Sequence, residues 1–308
     1  MLKLIVIIII ISLCKPITTF AWGKAGHEMI MELAFHLLSV EAKGKLNVYL
    51  NGMSIDDASV WMDVEKRTSQ YSYLKHTHYI DIDIGKQFDP NITDNIYFEL
   101  TKVTNDLNKF PSRNDVRIDL LILIHLIGDL HQPLHVGYLT DKGGNTIPVH
   151  LGGRVMNLHE AWDSGIIKKR HITIEDILQL YSTTSESKIN LIKQGNLQSW
   201  LLENRSTLNK VYLFKSYNLD EKYLDNATIA IKNQILNAGI RLSLLLERFI
   251  DEQPKINSIT SYSRKLIFKK DIDTRNLQII NSNILELYVI GGIITVLIIM
   301  GFYYYFKK

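Results

Sequence analysis

The sequence predicts a mostly α-helical body followed by a single membrane-spanning helix. Three observations carry that expectation. Apolar residues recur at spacings of three and four through most of the chain, the pattern of helices with one buried face. Strand candidates are few, chiefly HYIDIDI at 78–84 and TIPVHL at 146–151. A run of 20 uncharged residues, LYVIGGIITVLIIMGFYYYF, extends from Leu287 to Phe306. With 308 residues and 46% hydrophobic content, the chain can bury a sizeable core in one large domain or two smaller ones.

The first element reads as a secretory signal peptide, residues 1–21. It has an early lysine, an apolar run from Leu4 to Cys14 that is short for a bilayer, and the short residues Thr19 and Ala21 ahead of Trp22. Cleavage after Ala21 would make Trp22 the mature N-terminus; an uncleaved anchor is the alternative. Cys14 is the only cysteine, so a chain starting at Trp22 has no disulfide and no thiolate ligand. It must rely on core packing, or on metals held by nitrogen and oxygen. Lys and Arg number 35 against 32 Asp and Glu, and removal of Lys3 and Lys15 lowers the net charge from +3 to +1. So small a charge does not support a broad nucleic-acid-binding surface.

Helical periodicity then covers EMIMELAFHLLSVEAKGKLNVYL at 28–50, DNIYFELTKVTNDLNKF, RIDLLILIHLIGDL, EDILQLYS, INLIKQGNLQSWLLENRSTLNKVY and NATIAIKNQILNAGIRLSLLLERFI. The body is expected to span 22–250. Residues 251–286 contain Pro254, several Ser and Asn and mixed charges without a sustained apolar face, so a polar stalk is expected there. Residues 287–306 have the length of a transmembrane helix. The cytoplasmic tail 307–308 is two lysines, and Tyr303 to Phe306 suit a membrane interface. A buried core helix is the competing reading, although this run is apolar on every face. Signal and span together place the body on the extracytoplasmic side, in a periplasm, at a cell surface or in a secretory lumen. Asn91, Asn204 and Asn226 each begin an Asn-x-Ser/Thr triplet that could accept a glycan.

Ionisable groups crowd against this apolar pattern at HLIGDLHQPLH, residues 125–135. Residues four apart share a helix face, so His125 and Asp129 project together, and Pro133 ends the helix so that His135 can fold back. NLHEAWD repeats the device with His159 and Asp163. Either pair alone could be a buried hydrogen bond. Both pairs with His135 exceed what one tetrahedral zinc needs, which implies more than one metal.

These motifs carry a family resemblance. WGKAGH at 22–27, WMD at 61–63, HYID at 78–81, HLIGDLHQPLH, GGN at 143–145, NLHEAWD and NAGIRL at 237–242 occur in the order seen in S1/P1-type zinc nucleases. That family is similar in turn to bacterial zinc phospholipase C. The resemblance covers Trp22 to about Ile250 and implies a phospholipase C/nuclease-like helical domain with three zinc ions in a cleft. It implies Asp63, His78, His125 and Asp129 on a first zinc. Asp129 would bridge to a second, also held by His27 and by the free amine and carbonyl of Trp22. His135, His159 and Asp163 would hold the third.

A carboxylate-bridged zinc pair would lower the pKa of a shared water to give a hydroxide for in-line attack, while the third ion stabilises the departing 3′ oxygen. The substrates implied are single-stranded DNA or RNA, cut to 5′-mononucleotides, and 3′-nucleotides, which lose their phosphate. Lys66 falls where the family usually has an arginine beside the phosphate, and lysine lacks the bidentate fork; neighbouring Arg67 is the alternative. Tyr79 matches a base-stacking aromatic, unless it packs inward, and Asp81 a base-contacting carboxylate. Asn145 is expected to line the cleft or to make a tight turn. His131 is expected near a ligand, whereas His36, His76, His150 and His171 are left outside the site. Two other functions remain open. One is zinc phospholipase C, although Asp163 stands where those enzymes typically carry glutamate; the other is a non-catalytic, membrane-tethered zinc-binding module.

Overall fold

Residues 28–50 share one apolar period but form two helices, because Ser39 intervenes. In the computed structural model, which describes residues 22–109 and 113–252, α1 is Lys24–Leu37 and α2 is Val40–Leu50. The Ser39 hydroxyl accepts from the Ala42 N–H at 3.1 Å, satisfying one of the donors a helix start leaves unpaired. Ser54 and Asn95 do the same for α3 (Ile55–Glu65) and α4 (Ile96–Leu107). The most apolar stretch forms α5 (Arg113–Leu130). Pro133 then opens a 3-10 turn, Pro133–Val136, as a residue without an N–H can at a first helical position.

The strand expectations need correction. TIPVHL contributes β1 (Pro148–Leu151), paired antiparallel with β2 (Arg154–Asn157), which periodicity did not single out. HYIDIDI forms no strand. It is extended, and the Ile80 and Ile82 N–H groups donate to the His135 and Gly137 carbonyls at 2.8 and 3.0 Å, but its partner is a 3-10 turn that cannot continue a ladder. After the hairpin comes α6, residues 158–170, in which helical Leu158–Glu160 and Ile166–Arg170 flank a π turn at Ala161–Gly165. The expected helix at 189–212 is broken at Gly195, whose φ is +93°. The chain therefore runs through α7 (Ile174–Thr183), α8 (Glu186–Lys193), α9 (Leu197–Ser206), α10 (Leu208–Val211) and α11 (Glu221–Glu252).

Packing follows the apolar faces. α1 lies between α11 and α3, α3 also touches α5, and α5 packs on α4. Ile30, Leu33, Leu123, Leu126, Ile127, Ile235 and Leu242 are buried where these helices meet, each such burial contributing about 1.5–3 kcal/mol. Gly239 lets α11 approach α1, since a Cβ there would stand 2.6 Å from Leu33 Cδ2. Among the described residues no helix is long and apolar enough to cross a membrane. The signal peptide (1–21), the stalk beyond Glu252, the span (287–306) and the tail (307–308) lie outside the described residues.

Candidate metal centre

Four elements and two loops converge beneath one cleft. α3 presents Asp63 from its last turn, α5 presents His125 and Asp129 one turn apart, and α6 presents His159 and Asp163. His78 comes from the extended segment after a 3-10 turn (Ser72–His76), and His135 from the turn that Pro133 opens. His27 reaches in from α1 across Gly128, where a Cβ would lie 2.7 Å from its Nδ1. Glycine in a helix interior costs about 1 kcal/mol relative to alanine; here it makes room for a ring.

The side chains form three groups: His27, His125 and Asp129; Asp63, His78 and His125; His135, His159 and Asp163. In each, the candidate donor atoms lie within 4.8 Å of one another. Asp129 faces both ways. Its Oδ2 is 2.9 Å from His78 Nδ1 and 3.3 Å from His125 Nε2, while its Oδ1 is 3.2 Å from His27 Nε2 and 3.6 Å from His135 Nδ1. His159 Nε2 and Asp163 Oδ2 are 3.3 Å apart across the π turn.

Backbone carbonyls set the ring orientations. His125 Nδ1 donates to Ser59 O at 2.8 Å, His135 Nδ1 to His78 O at 2.8 Å and His159 Nδ1 to Gly143 O at 2.7 Å. Each bond leaves Nε2 as an acceptor turned into the site, the arrangement found around metal-bound imidazoles. His27 Nε2, Asp63 Oδ2, His78 Nε2, Asp129 Oδ1, His135 Nε2 and Asp163 Oδ2 are buried without a hydrogen-bond partner. Buried polar atoms are normally paired. So many orphaned nitrogen and oxygen donors aimed at one volume fit divalent cations of the zinc type.

The electrostatics agree. Burial holds the His27 imidazole neutral, reinforced by His125, and pushes His78 down to about 4 and His135 to about 3. Burial also opposes ionisation of Asp129, but His125 and His135 outweigh it and hold the carboxyl well below its ordinary range. Burial drives Asp163 up to about 7, with His159 and Gln132 offsetting part of the effect. A cation beside Asp163 would reverse that shift.

The remaining expected residues fall as follows. The Trp22 side chain is fully buried, and the next N–H, that of Gly23, donates to Asp163 O at 2.8 Å. Trp22 thus lies against a ligand-bearing segment, while residue 21, to which its amine is joined, is outside the described residues. Lys66 Nζ is 2.6 Å from Asp63 Oδ1. It lines a cleft of about 650 Å³ together with Tyr79, Asp81 and Asn145. Arg67 is exposed and does not line the cleft. Tyr79 is 39% exposed on the wall, so it does not pack inward. Burial raises the Asp81 carboxyl to about 6. Asn145 Nδ2 donates to Lys142 O at 2.8 Å, so it both lines the cleft and braces a turn.

Two residues that the sequence left open are placed by the structure. His131 touches no ligand: its Nδ1 donates to Ile127 O and its Nε2 accepts from Arg241 at 2.9 Å, tying α5 to α11. Asn204 is buried, with its Nδ2 donating to Leu130 O at 2.8 Å, so it cannot carry a glycan in the folded chain. Sequence reasoning also missed residues. Gln132 donates to Asp163 Oδ1, and its place between ligands in HLIGDLHQPLH was a usable signal. Lys75, Leu139 and Lys142 line the cleft without any local pattern that marks them.

Residues 22–251 match the family described as S1/P1 Nuclease. The chain is 26% identical to Endonuclease 1 of Arabidopsis thaliana over 298 residues, covering 84% of this chain and 97% of that protein. It is 30% identical to Endonuclease 2 of the same plant over 197 residues, 58% of this chain and 65% of that one. Nuclease S1 of Aspergillus oryzae is 28% identical over 163 residues, 48% of this chain and 55% of that protein.

Proposed function

Because the chain belongs to the S1/P1 nuclease family, we propose that it is a zinc-dependent endonuclease. It would cut single-stranded DNA and RNA to 5′-mononucleotides and remove phosphate from 3′-nucleotides. Relatives bearing the names endonuclease and nuclease support the reaction class. The observation that carries the reading is the set of inward-aimed, unpartnered His and Asp atoms at the floor of a cleft.

Asp63, His78 and His125 would hold one ion; His27 and the Trp22 amine would hold a second, with Asp129 between the two; His135, His159 and Asp163 would hold a third. Zinc in such sites supplies Lewis acidity and an activated water at neutral pH. The chain's own side chains do the rest. Lys66, fixed by Asp63, presents a point charge to the phosphate under attack. Tyr79 offers a face on which an unpaired base stacks, so paired strands are poorer substrates. Asp81, once ionised, accepts from a base amino group, and Asn145 bounds the same side of the cleft. The same reading includes removal of residues 1–21 and anchorage through 287–306, with the body on the extracytoplasmic side. Those two segments rest on their sequence pattern.

The test is the chain purified from membranes, with zinc measured by mass spectrometry and hydrolysis assayed on single-stranded DNA, duplex DNA and phosphatidylcholine. Three zincs per chain and selective release of 5′-nucleotides from the single strand are expected. Release of diacylglycerol instead would mean a phospholipase C. A zinc-loaded chain that turns over neither would be a binding module.

A further inference from the structure

Three lysines line the cleft, Lys66, Lys75 and Lys142, against one carboxylate outside the ligand set, Asp81. Lys66 is paired with Asp63. Lys75 and Lys142 are exposed, and neither ammonium has a carboxylate partner among the described residues. They also belong to segments that carry different ligand groups. Lys75 sits on the Ser72–His76 turn just ahead of His78, on the side of the Asp63, His78 and His125 group. Lys142 precedes Gly143, whose carbonyl holds His159, on the side of the His135, His159 and Asp163 group.

The backbone at Lys142 is firmly set. Its φ is +53°, a left-handed conformation that costs a lysine roughly 1–2 kcal/mol. Hydrogen bonds hold it there: its N–H donates to Leu139 O at 3.2 Å, and its carbonyl accepts from Asn145 N and Nδ2 at 3.3 and 2.8 Å. The lysine is therefore launched from a rigid turn at the cleft rim, although glycine or asparagine would fit that backbone with less strain.

We propose that Lys75 and Lys142 are phosphate subsites on either side of the cleavage point. They would hold the phosphates flanking the one under attack, so the preferred substrate is a single strand of several nucleotides, rather than a dinucleotide or mononucleotide. The proposal rests on the nuclease reading above. An extended strand crossing the floor must place successive phosphates on both sides of the scissile one, and the two unpaired lysines line the cleft from segments that carry different ligand groups. Their contribution comes largely from counterion release, which makes it sensitive to salt.

The experiment uses the zinc-loaded full chain and the variants K75Q, K142Q and K75Q/K142Q, which keep side-chain length and remove charge. Binding of a labelled phosphorothioate oligothymidylate, which resists hydrolysis, is followed by fluorescence anisotropy across a salt series. The double variant is expected to bind about tenfold more weakly at low salt. Its log–log salt slope should be shallower by about 1.4, from about 0.7 per phosphate contact on a single strand. K75R/K142R should restore the slope, which a purely structural role would not require. The ratio of kcat/KM on an octanucleotide to that on a dinucleoside monophosphate should also fall, through KM. An unaltered slope and an unaltered length ratio in a folded, zinc-loaded double variant overturn the proposal. Lysine-dependent binding without any hydrolysis by the unsubstituted chain would instead reject the nuclease reading and leave the phosphate subsites standing.

Discussion

Asp129 directs Oδ2 at His78 and His125, and Oδ1 at His27 and His135. Among the described histidines, Asp163 faces His135 and His159. On the proposed three-zinc reading, the two carboxylates would differ in how many ions depend on them. Asp129→Asn is expected to remove about two zincs per chain and abolish hydrolysis, whereas Asp163→Asn should remove one; both follow from the ligand's need for negative charge. Elemental analysis of the two proteins checks this, and equal losses would refute the bridging role. A second residue-level effect lies away from the metals. Burial, with Asp106 adding to it, pushes the Asp119 carboxyl on α5 up to about 7, with Asp115 and Glu99 acting the same way and Lys102 opposing them. The unfolded value is about 3.9. The folded state thus keeps a proton that the unfolded chain releases between those values, so stability from this group falls as pH rises from about 4 to 7 and is level above. Asp119→Asn should remove that decline: its melting temperature relative to the parent should be higher at pH 8 than at pH 5. A difference independent of pH would show that Asp119 titrates normally.

At the scale of elements, the site depends on close approach between helices. Gly128→Ala would improve helix propensity by about 1 kcal/mol. Yet its Cβ would meet His27 Nδ1 at 2.7 Å and Cε1 at 2.9 Å, and overpacking costs about 1–3 kcal/mol. The expected result is a less stable protein that has lost zinc at the His27 group; a higher melting temperature with zinc retained would show that α1 can shift. Arg205 on α9 performs a comparable task between loops. It donates to the Val136, Gly137 and Ile82 carbonyls at 2.6, 2.8 and 2.8 Å, which holds the segment bearing Tyr79 and Asp81 against the turn bearing His135. Arg205→Lys keeps the charge but cannot reach three carbonyls at once, so KM for single strands should rise several-fold with zinc content preserved. Neither role was legible beforehand. Gly128 reads as an ordinary weak point in a helix, and Arg205 sits in a triplet noticed only as a glycan acceptor.

For the whole molecule, the proposed function would couple export to catalysis through Trp22. A peptide bond before Trp22 leaves an amide, a poor ligand, where cleavage after Ala21 would leave an amine that can lose its proton to a metal. A chain produced with one alanine added before Trp22 is expected to hold about two zincs rather than three and to hydrolyse single-stranded DNA far more slowly. Three zincs and equal activity in both preparations would remove the amine from the ligand set and, with it, the functional reason for cleavage at that bond.

The sequence by itself determined the helical class, the ordered motifs and the local pairs His125/Asp129 and His159/Asp163, because a four-residue spacing on a helix is a property of nearest turns. The histidines left outside the site, His36, His76, His150 and His171, are all exposed, whereas the ligand candidates His27, His78, His125, His135 and His159 are buried. Tertiary structure decided the rest. Whether Tyr79 faces in or out, whether Asn204 is accessible and where His131 points all depend on which distant segment packs against each residue. So does the assembly of Lys75 and Lys142 around one cleft, since neither has a local spacing that sets it apart. Only tertiary packing, that of α1, α3, α5 and α6 included, brings residues from 27 to 163 together, and side-chain periodicity along one helix carries no information about that convergence.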